Sequence, residues 1–196
     1  MPARSSPRLN PRIERRLAQT LIGDRQPGPV RLVEYHDGWP VRFARIRERL
    51  ADALGITART IEHIGSTAVP RLAAKPIIDV LVTVDDVEDE GGYAPALMAL
   101  GYELRVREPG HRMFRPPSRD THVHVWAEGS REHRDHVLFR DRLRQSATDR
   151  DAYAQLKREL AAEDWPDVNY YAEAKGPFID EILKRARPAP QARRAG

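Results

Sequence analysis

The most apolar segment of the chain is a run of nine residues, P-I-I-D-V-L-V-T-V, at positions 76–84. Its length and its branched side chains are typical of a β-strand that is covered on both faces. One carboxylate, Asp79, interrupts the apolar pattern. A charge in such a strand is unfavourable unless it pairs with another group or binds a cation. The run therefore predicts a layered fold around a central strand, with Asp79 as a candidate functional residue.

The periodicity of the remaining chain predicts further strands and helices. Short runs rich in branched and aromatic residues predict strands at 30–35, 60–64, 102–106, 113–115 and 121–126. Apolar spacings of three and four predict helices at 41–54, 94–100, 133–144, 149–163 and 170–186, the last interrupted at Gly176-Pro177. Strands followed by helices indicate an α+β fold, in which a mixed sheet packs with helices and a helical part forms the C-terminus.

The basic residues lie mainly in the two terminal segments. Residues 1–31 and 184–196 each carry a net charge of +5, whereas the whole chain carries +4, so residues 32–183 are acidic. This distribution argues against a broad nucleic-acid-binding face on the domain. We expect nucleic acid to bind, if at all, only through the basic tails.

A length of 196 residues fits one domain with a buried core. Asn10 before Pro11 predicts the start of a short helix, because it combines a capping side chain with a first-turn proline. We predict a basic N-terminal extension at 1–29 that contains this helix, a domain at 30–187, and a disordered tail at 188–196.

Composition excludes several other classes of protein. The chain has no cysteine, so neither disulfides nor thiolate zinc sites contribute. No apolar run approaches the roughly 20 residues of a membrane-spanning helix, and the N-terminus lacks the apolar segment of a secretory signal. We therefore expect a cytoplasmic protein that does not bind membranes.

The segment H-I-G-S-T-A-V-P-R-L-A-A-K-P-I-I-D places Gly65 and Ser66 after one predicted strand and Asp79 in the next. A glycine there lets the backbone approach a ligand, and the serine hydroxyl with the free amides of the turn can hold a phosphate. The alternative is an ordinary turn in which Ser66 caps the following residues. For Asp79, the alternative to a metal ligand is an ion pair with Lys75 or an arginine.

These segments resemble the GrpB family of bacterial proteins. The resemblance rests on H-I-G-S-T-A-V-P-R-L-A-A-K-P-I-I-D-V-L-V and on the preceding turn Y-H-D-G-W-P. It continues in order through L-F-R-D-R-L-R, A-Y-A-Q-L-K-R-E-L-A and Y-Y-A-E-A-K-G-P-F-I. It covers about residues 30–186.

The resemblance implies a nucleotidyltransferase-like fold and a site for a nucleoside triphosphate or a related small molecule. It implies that the turn Gly65-Ser66-Thr67 holds a nucleotide phosphate, chiefly through Ser66, and that Asp79 binds a divalent metal, Mg²⁺. Two metal ions can hold a triphosphate for in-line attack on its α-phosphorus. Some relatives are fused to dephospho-coenzyme A kinase, which indicates nucleotide or coenzyme A metabolism.

The sequence departs from the superfamily pattern at two places. Alternation places position 81 on the same face as Asp79, and Leu81 stands where an active enzyme would carry a second carboxylate. On a later strand, His122 and His124 stand in place of an acid. Two imidazoles two residues apart on a strand can bind a transition metal. The alternatives are a polar pair in the site or the surface of an edge strand. The candidate metal ligands are Asp79, His122 and His124, and the candidate catalytic residues are Asp79 and His124.

The few lysines of this arginine-rich chain are candidate phosphate ligands. Lys75, Lys157 and Lys175 all lie in the GrpB-like segments. A lysine there supplies a compact charge for phosphate, or its occurrence is chance and it forms a salt bridge. Arg140 is a further candidate, because a guanidinium can reach a triphosphate, although it can also pair with Asp141.

Three hypotheses follow for the function. In the first, the protein transfers a nucleotidyl group from a nucleoside triphosphate to an unknown acceptor. In the second, it is a non-catalytic module that binds a nucleotide or a coenzyme A-related molecule, which Leu81 favours. In the third, the basic tails bind RNA or another partner, which the acidic body makes the weakest of the three.

Overall fold

A computed structural model describes residues 9–25 and 27–187 of the chain. The predicted disordered tail at 188–196 and the first eight residues lie outside these ranges. The described helices are α1 (Pro11–Thr20), α2 (Gly38–Leu54), α3 (Ala94–Ala99), α4 (Arg131–Gln145), α5 (Ala147–Ala161), α6 (Val168–Ala174) and α7 (Gly176–Ala186). The strands are β1 (Thr60–Ile64), β2 (Ile78–Val84), β3 (Glu103–Glu108), β4 (His111–Arg115) and β5 (Thr121–Ala127).

The five strands form one mixed sheet in the order β1-β2-β5-β4-β3. Strands β2 and β5 are parallel, and the other neighbouring pairs are antiparallel. The predicted α+β class, with a mixed sheet and a C-terminal helical part, is therefore confirmed. Strand β5 lies in the middle of the sheet, so the alternative that placed its histidines on an edge strand is wrong.

Strand β2 is covered on both faces, as its apolar run predicts. Ile78, Val80 and Val82 pack on one face in the main core, together with residues of α2 and α3. Asp79 and Leu81 point to the opposite face, because successive side chains alternate along a strand. There Leu81 packs with Ile64 of β1 and Trp126 of β5. Asp79 thus belongs to the face that carries the smaller apolar cluster.

The strand predicted at 30–35 does not form. Only Val33 pairs with another segment, through two 2.9 Å backbone hydrogen bonds with Ala74. Ala74 lies outside the five strands, so this pairing stays a single bridge and does not extend into a strand. The helix predicted at 170–186 is interrupted as expected, since α6 ends at Ala174 and α7 restarts with Pro177 in its first turn.

Helix α1 begins as predicted and packs against the domain. The Asn10 side chain accepts a hydrogen bond from the Arg12 N–H, with a proline in the first turn. Ile13 and Leu17 are buried in a cluster with Tyr170 of α6. The position at which this helix docks could not be predicted from the sequence.

Among the residues that the structure describes, no helix is long and apolar enough to cross a membrane.

Candidate functional site

The turn after β1 is held close to the Asp79 side chain. In the antiparallel pair of β1 and β2, Ile64 lies opposite Asp79, so Gly65 begins the turn beside that carboxylate. Gly65 has φ +69° and ψ −172°, a backbone conformation that is essentially restricted to glycine. A Cβ atom on Gly65 would lie only 3.0 Å from the Asp79 Cβ. The glycine is therefore required both by its backbone conformation and by the lack of space.

Asp79, His122 and His124 come together on one face of the sheet. Asp79 lies beside His122 in the parallel pair of β2 and β5, and His124 follows two residues later on the same face. The Asp79 Oδ1 lies 3.2 Å from His122 Nδ1 and 3.7 Å from His124 Nε2. The side chains are 27%, 21% and 20% exposed, respectively, so each reaches a cavity rather than the core. The prediction that Asp79, His122 and His124 lie on the same face of the sheet is confirmed.

A second pair of polar side chains stands behind His124. His111 of β4 places its Nε2 3.1 Å from His124 Nδ1, and its Nδ1 lies 3.2 Å from Glu108 Oε2. The His111 and His124 rings both stack on Trp126, at centroid distances of 4.4 and 5.1 Å. These contacts fix the orientation of the His124 ring.

The environment lowers the pKa of both central groups, but for different reasons. Burial opposes ionisation of Asp79, but the contacts with the His122 and His124 imidazoles outweigh burial and hold the pKa of this carboxyl below its ordinary value. Burial lowers the pKa of His124 to about 4, with Asp79 acting in the opposite direction. At neutral pH the site therefore contains a carboxylate beside a neutral His124 ring.

Three lysines approach the same site, Lys157 and Lys175 from the helical part and Lys75 from the loop before β2. The Lys157 amine of α5 donates hydrogen bonds to Ser66 Oγ, at 3.0 Å, and to the Ala73 carbonyl. Lys75 and Lys175 both lie near the ring of Tyr171, with their amines 5.8 and 4.6 Å from its centroid. The helical part thus delivers positive charge to the Gly65-Ser66 turn.

Burial weakens proton binding by these lysines. It lowers the pKa of Lys157 to about 7, and the nearby Lys175 acts in the same direction. Burial and the neighbouring Lys75 lower the pKa of Lys175 to about 8. The pKa of Lys75 is also lowered, chiefly by burial, although Asp79 counteracts this. Clustered, partly desolvated amines of this kind are suited to an anionic ligand that restores their charge.

A cavity of about 400 Å³ joins the two groups of residues. The carboxylate and imidazoles line one part of it, and the lysines and Ser66 line another. Helix α1 contributes a further wall through Arg16, Leu17 and Thr20. Tyr170 Oη holds α1 in this position, since it accepts from the Asn10 N–H at 3.0 Å and donates to Glu14 at 2.7 Å.

The family model described as GrpB protein matches residues 29–185. The chain belongs to the GrpB family. Among its GrpB-family relatives, a UPF0157 protein of Halalkalibacterium halodurans is 43% identical, over 94% of this chain and 97% of that protein. The crystal structure of conserved protein GrpB from Enterococcus faecalis is 33% identical, with a TM-score of 0.71, and covers 80% of this chain and 96% of that one.

Two further similarities, at lower identity, are to a protein named dephospho-CoA kinase and to a chain of a solved complex. A protein of Mycolicibacterium paratuberculosis named dephospho-CoA kinase is 29% identical, over 81% of this chain and 46% of its own length. The structure of the GLD-2/RNP-8 complex contains a chain with a TM-score of 0.50 and 13% identity, covering 81% of this chain and 62% of that one. At that identity the likeness concerns the fold alone. The fold of this chain is α+β, and it is similar to that of the Enterococcus faecalis GrpB structure and to that of a chain in the GLD-2/RNP-8 complex.

Most of the residues that the GrpB resemblance pointed to lie around one cavity. The lining includes Gly65, Ser66, Thr67, Lys75, Asp79, His122, His124, Lys157 and Lys175. Thr67 is nearly fully buried, and its hydroxyl contacts His63 Nε2 at 3.0 Å and donates to the Ile77 carbonyl at 3.1 Å. These two contacts occupy the hydroxyl of Thr67, so that Ser66 is the better placed of the two for a ligand.

Arg140, by contrast, lies apart from the cavity lining. Its guanidinium contacts Glu62 at 2.6 Å, Asp141 at 2.8 Å and the His63 carbonyl at 3.0 Å. The structure therefore places Arg140 in an ion-pair network between α4 and β1, in agreement with the local pairing that the sequence left open as an alternative.

Several residues that line the cavity were not predicted from the sequence. His111 and Glu108 come from the hairpin of β3 and β4, and Tyr171 comes from α6. The spacing of His111 and Met113 at alternate positions is the signal that could have indicated a common face. Nothing in the local sequence around Tyr171 marks it as a partner of two lysines.

The donor atoms do not match the magnesium site that the GrpB resemblance implied. Mg²⁺ prefers oxygen ligands in near-octahedral geometry, whereas this group offers one carboxylate and two imidazoles. Leu81, at the position of a second carboxylate, is fully buried against Ile64 and Trp126. This part of the cavity therefore does not fit a pair of magnesium ions.

Proposed function

We propose that the cavity binds a nucleoside triphosphate, or a related phosphorylated molecule such as one derived from coenzyme A, mainly through its lysines. One observation carries the proposal: the amines of Lys75, Lys157 and Lys175 line one cavity together with Ser66. The dephospho-CoA kinase name of a partly matching relative supports the coenzyme A-related alternative.

The electrostatics of the lysines support a phosphate ligand. Desolvation lowers the pKa of Lys157 to about 7 and of Lys175 to about 8. Polyphosphate supplies the negative charge that stabilises the charged amines, and an ammonium group acts as a compact donor to phosphate oxygens. The Ser66 hydroxyl, already bonded to Lys157, lies at the same place.

Binding without nucleotidyl transfer is the function that the geometry supports best. Two-metal catalysis needs acidic ligands that hold both ions. Leu81 replaces the second of these carboxylates, and its side chain is fully buried in an apolar cluster. A non-catalytic nucleotide-binding or regulatory module satisfies all of these observations.

Nucleotidyl transfer is the second candidate, and the contact of Asp79 with His122 and His124 favours it. In this reaction an acceptor hydroxyl oxygen attacks the α-phosphorus, the bond to the bridging oxygen breaks, and pyrophosphate leaves. Asp79 or the neutral His124 would take the proton of the acceptor hydroxyl. The lysines would stabilise the charge of the leaving pyrophosphate.

The test of the proposed function measures binding in the presence of a chelator. Isothermal titration of the full chain with nucleoside triphosphates and coenzyme A, in excess EDTA, is expected to show binding of at least one of them. Lys157→Met should weaken that binding about ten- to 100-fold, since a hydrogen bond to a charged group contributes about 1.5–3 kcal/mol. Lys184→Met, an exposed lysine on α7, is the matched control and should bind normally.

Two outcomes separate the candidates. Complete loss of binding in EDTA would contradict a lysine-based mode and support a metal-dependent one. Release of pyrophosphate from a bound triphosphate, together with transfer of the labelled α-phosphate, would show that the protein is an enzyme.

The lowered lysine pKa values predict how binding depends on pH. Above pH 7.5 the ligand phosphates are fully ionised, whereas Lys175, with a pKa of about 8, and Lys157, with a pKa of about 7, lose their protons. Affinity should therefore fall between pH 7.5 and 9.5, by about tenfold per pH unit for each lysine that must regain a proton.

Without ligand, these lysines make the free energy of unfolding rise from about pH 7 toward their ordinary pKa of 10.5, since the unfolded chain then binds more protons than the folded one.

Titrations of the same ligand at several pH values check this prediction. Lys157→Met should bind weakly, with a smaller dependence on pH. An affinity that is constant from pH 7.5 to 9.5 would show that these amines do not bind the phosphates in charged form.

A further inference from the structure

We infer that Asp79, His122 and His124 form a binding site for a single divalent ion of a first-row transition metal, such as Zn²⁺ or Co²⁺, rather than for Mg²⁺. The inference does not depend on the phosphate-binding function proposed above. It rests on the positions of the donor atoms, on the hydrogen bonds behind them, and on the chemistry of imidazole as a ligand.

The three side chains offer donor atoms at suitable separations. One carboxylate oxygen and one nitrogen from each imidazole all lie within 4.8 Å of one another. Ligands of one tetrahedral zinc ion lie about 2.0–2.2 Å from the metal, so only small side-chain movements are needed to bring these atoms to one ion. The strands fix the Cα positions, because Asp79 and His122 are direct neighbours in the parallel pairing.

The kind of donor decides the kind of ion. Imidazole nitrogen suits zinc, copper, iron and nickel, whereas magnesium takes carboxylate, carbonyl and water oxygens. Two imidazoles and one carboxylate are the ligand set of several catalytic zinc sites and of non-haem iron sites, in which the remaining positions stay open. Here the three side chains are each partly exposed to the cavity, so water or a phosphate oxygen can reach an ion from that side.

The two ring nitrogens of His124 have different surroundings. Glu108, His111, His124 and Asp79 form a row in which the successive side-chain contacts are 3.2, 3.1 and 3.7 Å. The contact of His124 Nδ1 with His111 is within hydrogen-bond distance, whereas the contact of His124 Nε2 with the Asp79 oxygen is too long for a hydrogen bond. His124 Nε2 is therefore the nitrogen that can bind an ion held by Asp79.

The same row orients the ligand ring. A metal-binding histidine commonly donates its other N–H to a carboxylate or another acceptor, which fixes the ring and its tautomer. Here His111 Nε2 contacts His124 Nδ1, and His111 Nδ1 in turn contacts Glu108. His111 is therefore a positioning residue for His124 rather than a ligand.

The lysines across the cavity act against a bound cation. Burial lowers the pKa of Lys75 and Lys175, and the attraction of each amine to the Asp79 carboxylate partly offsets this lowering. A metal ion at Asp79 would compete with this attraction. The affinity measured without any anion is therefore the stringent test, and it keeps metal binding separate from phosphate binding.

The experiment uses the full chain, freed of metal with a chelator and then dialysed. Titration with Co²⁺ should give visible absorption bands that saturate at one ion per chain. Calorimetry should show that Zn²⁺ binds at least about 100-fold more tightly than Mg²⁺. His122→Gln and His124→Gln should each weaken Co²⁺ binding at least about tenfold and alter the bands, because each removes a ligand. His36→Gln, an exposed histidine outside the cavity lining, is the control and should bind as the unchanged chain does.

A third variant tests the positioning role. His111→Phe keeps an aromatic ring on Trp126 but cannot form a hydrogen bond with His124, so it should lower the affinity about 10–100-fold and leave one ion per chain. Circular dichroism confirms that each variant is folded, and Asp79→Asn provides an independent ligand variant if a histidine variant is not. Magnesium binding as tight as zinc binding, or unchanged Co²⁺ bands in both glutamine variants, would overturn the inference. Failure here leaves the EDTA titration of nucleotides unaffected, so the two proposals fail separately.

Discussion

Gly65→Ala is expected to lower the free energy of unfolding by about 2–5 kcal/mol. A backbone conformation restricted to glycine costs about 1–3 kcal/mol for another residue, and an added methyl group in a filled space costs a similar amount. The new Cβ would lie 3.0 Å from the Asp79 Cβ and closer still to its carboxylate. Since a domain is stable by only about 5–15 kcal/mol, thermal or urea unfolding should detect this loss readily.

A second glycine separates the two causes of this loss. Gly101 also has a positive φ, of +85°, but a Cβ there would meet nothing within 4 Å. Gly101→Ala should therefore show the backbone cost without the steric one. Combining Gly65→Ala with Asp79→Ala should restore part of the stability, because the second change removes the carboxylate from the crowded position. Equal losses at both glycines, with no recovery in the double variant, would show that the close approach to Asp79 is unimportant.

Asp79→Asn should reduce transition-metal affinity by about 100-fold while changing the free energy of unfolding by about 1 kcal/mol or less. Loss of a charged ligand removes the strongest attraction for the ion. In the metal-free protein two effects oppose each other: burial disfavours the Asp79 carboxylate, and the imidazole contacts favour it. Among the described residues, the ion contacts of Asp79 within 4.0 Å are with His122 and His124.

The outcome of this substitution decides between the two interpretations of Asp79 that the sequence left open. If Asp79 were the ion-pair partner of Lys75 or of an arginine, its replacement by Asn would leave a buried cation unpaired, which costs about 3–5 kcal/mol. Melting temperature and a Co²⁺ titration on the same samples distinguish the cases. Asp85→Asn, which removes an exposed carboxylate paired with Arg59, is the control for loss of charge alone. A large drop in melting temperature with unchanged metal binding would remove Asp79 from the list of ligands.

Helix α1 lines the cavity, although it precedes the segment that the GrpB family model matches. The match to the GrpB family begins at residue 29, whereas α1 ends at Thr20. Arg16 and Thr20 nevertheless line the cavity, and Arg16 also pairs with Glu173 of α6 at 2.9 Å. Part of the cavity in this protein is therefore built by residues that precede the segment matched by the family model.

Local sequence determined the elements and the faces of the site. The alternation of β2 puts Asp79 on the opposite face from Val80 and Val82, and the alternation of β5 puts His122 and His124 on one side. These relations follow from the period of two in a strand, which requires no knowledge of any partner. The glycine and serine after β1 likewise indicated a special turn from their residue types alone.

Only the tertiary structure decided which of these residues meet. The sequence could not show that β5 lies beside β2, or that Lys157 reaches Ser66, a residue 91 positions earlier in the chain. It also left open whether Asp79 pairs with Lys75 or an arginine, whereas in the structure its contacts are with His122 and His124. The sequence placed the α1 segment outside the domain. The physical reason is that backbone periodicity acts over a few residues. The pairing of distant strands and the docking of helices instead depend on how all the apolar surfaces are buried together.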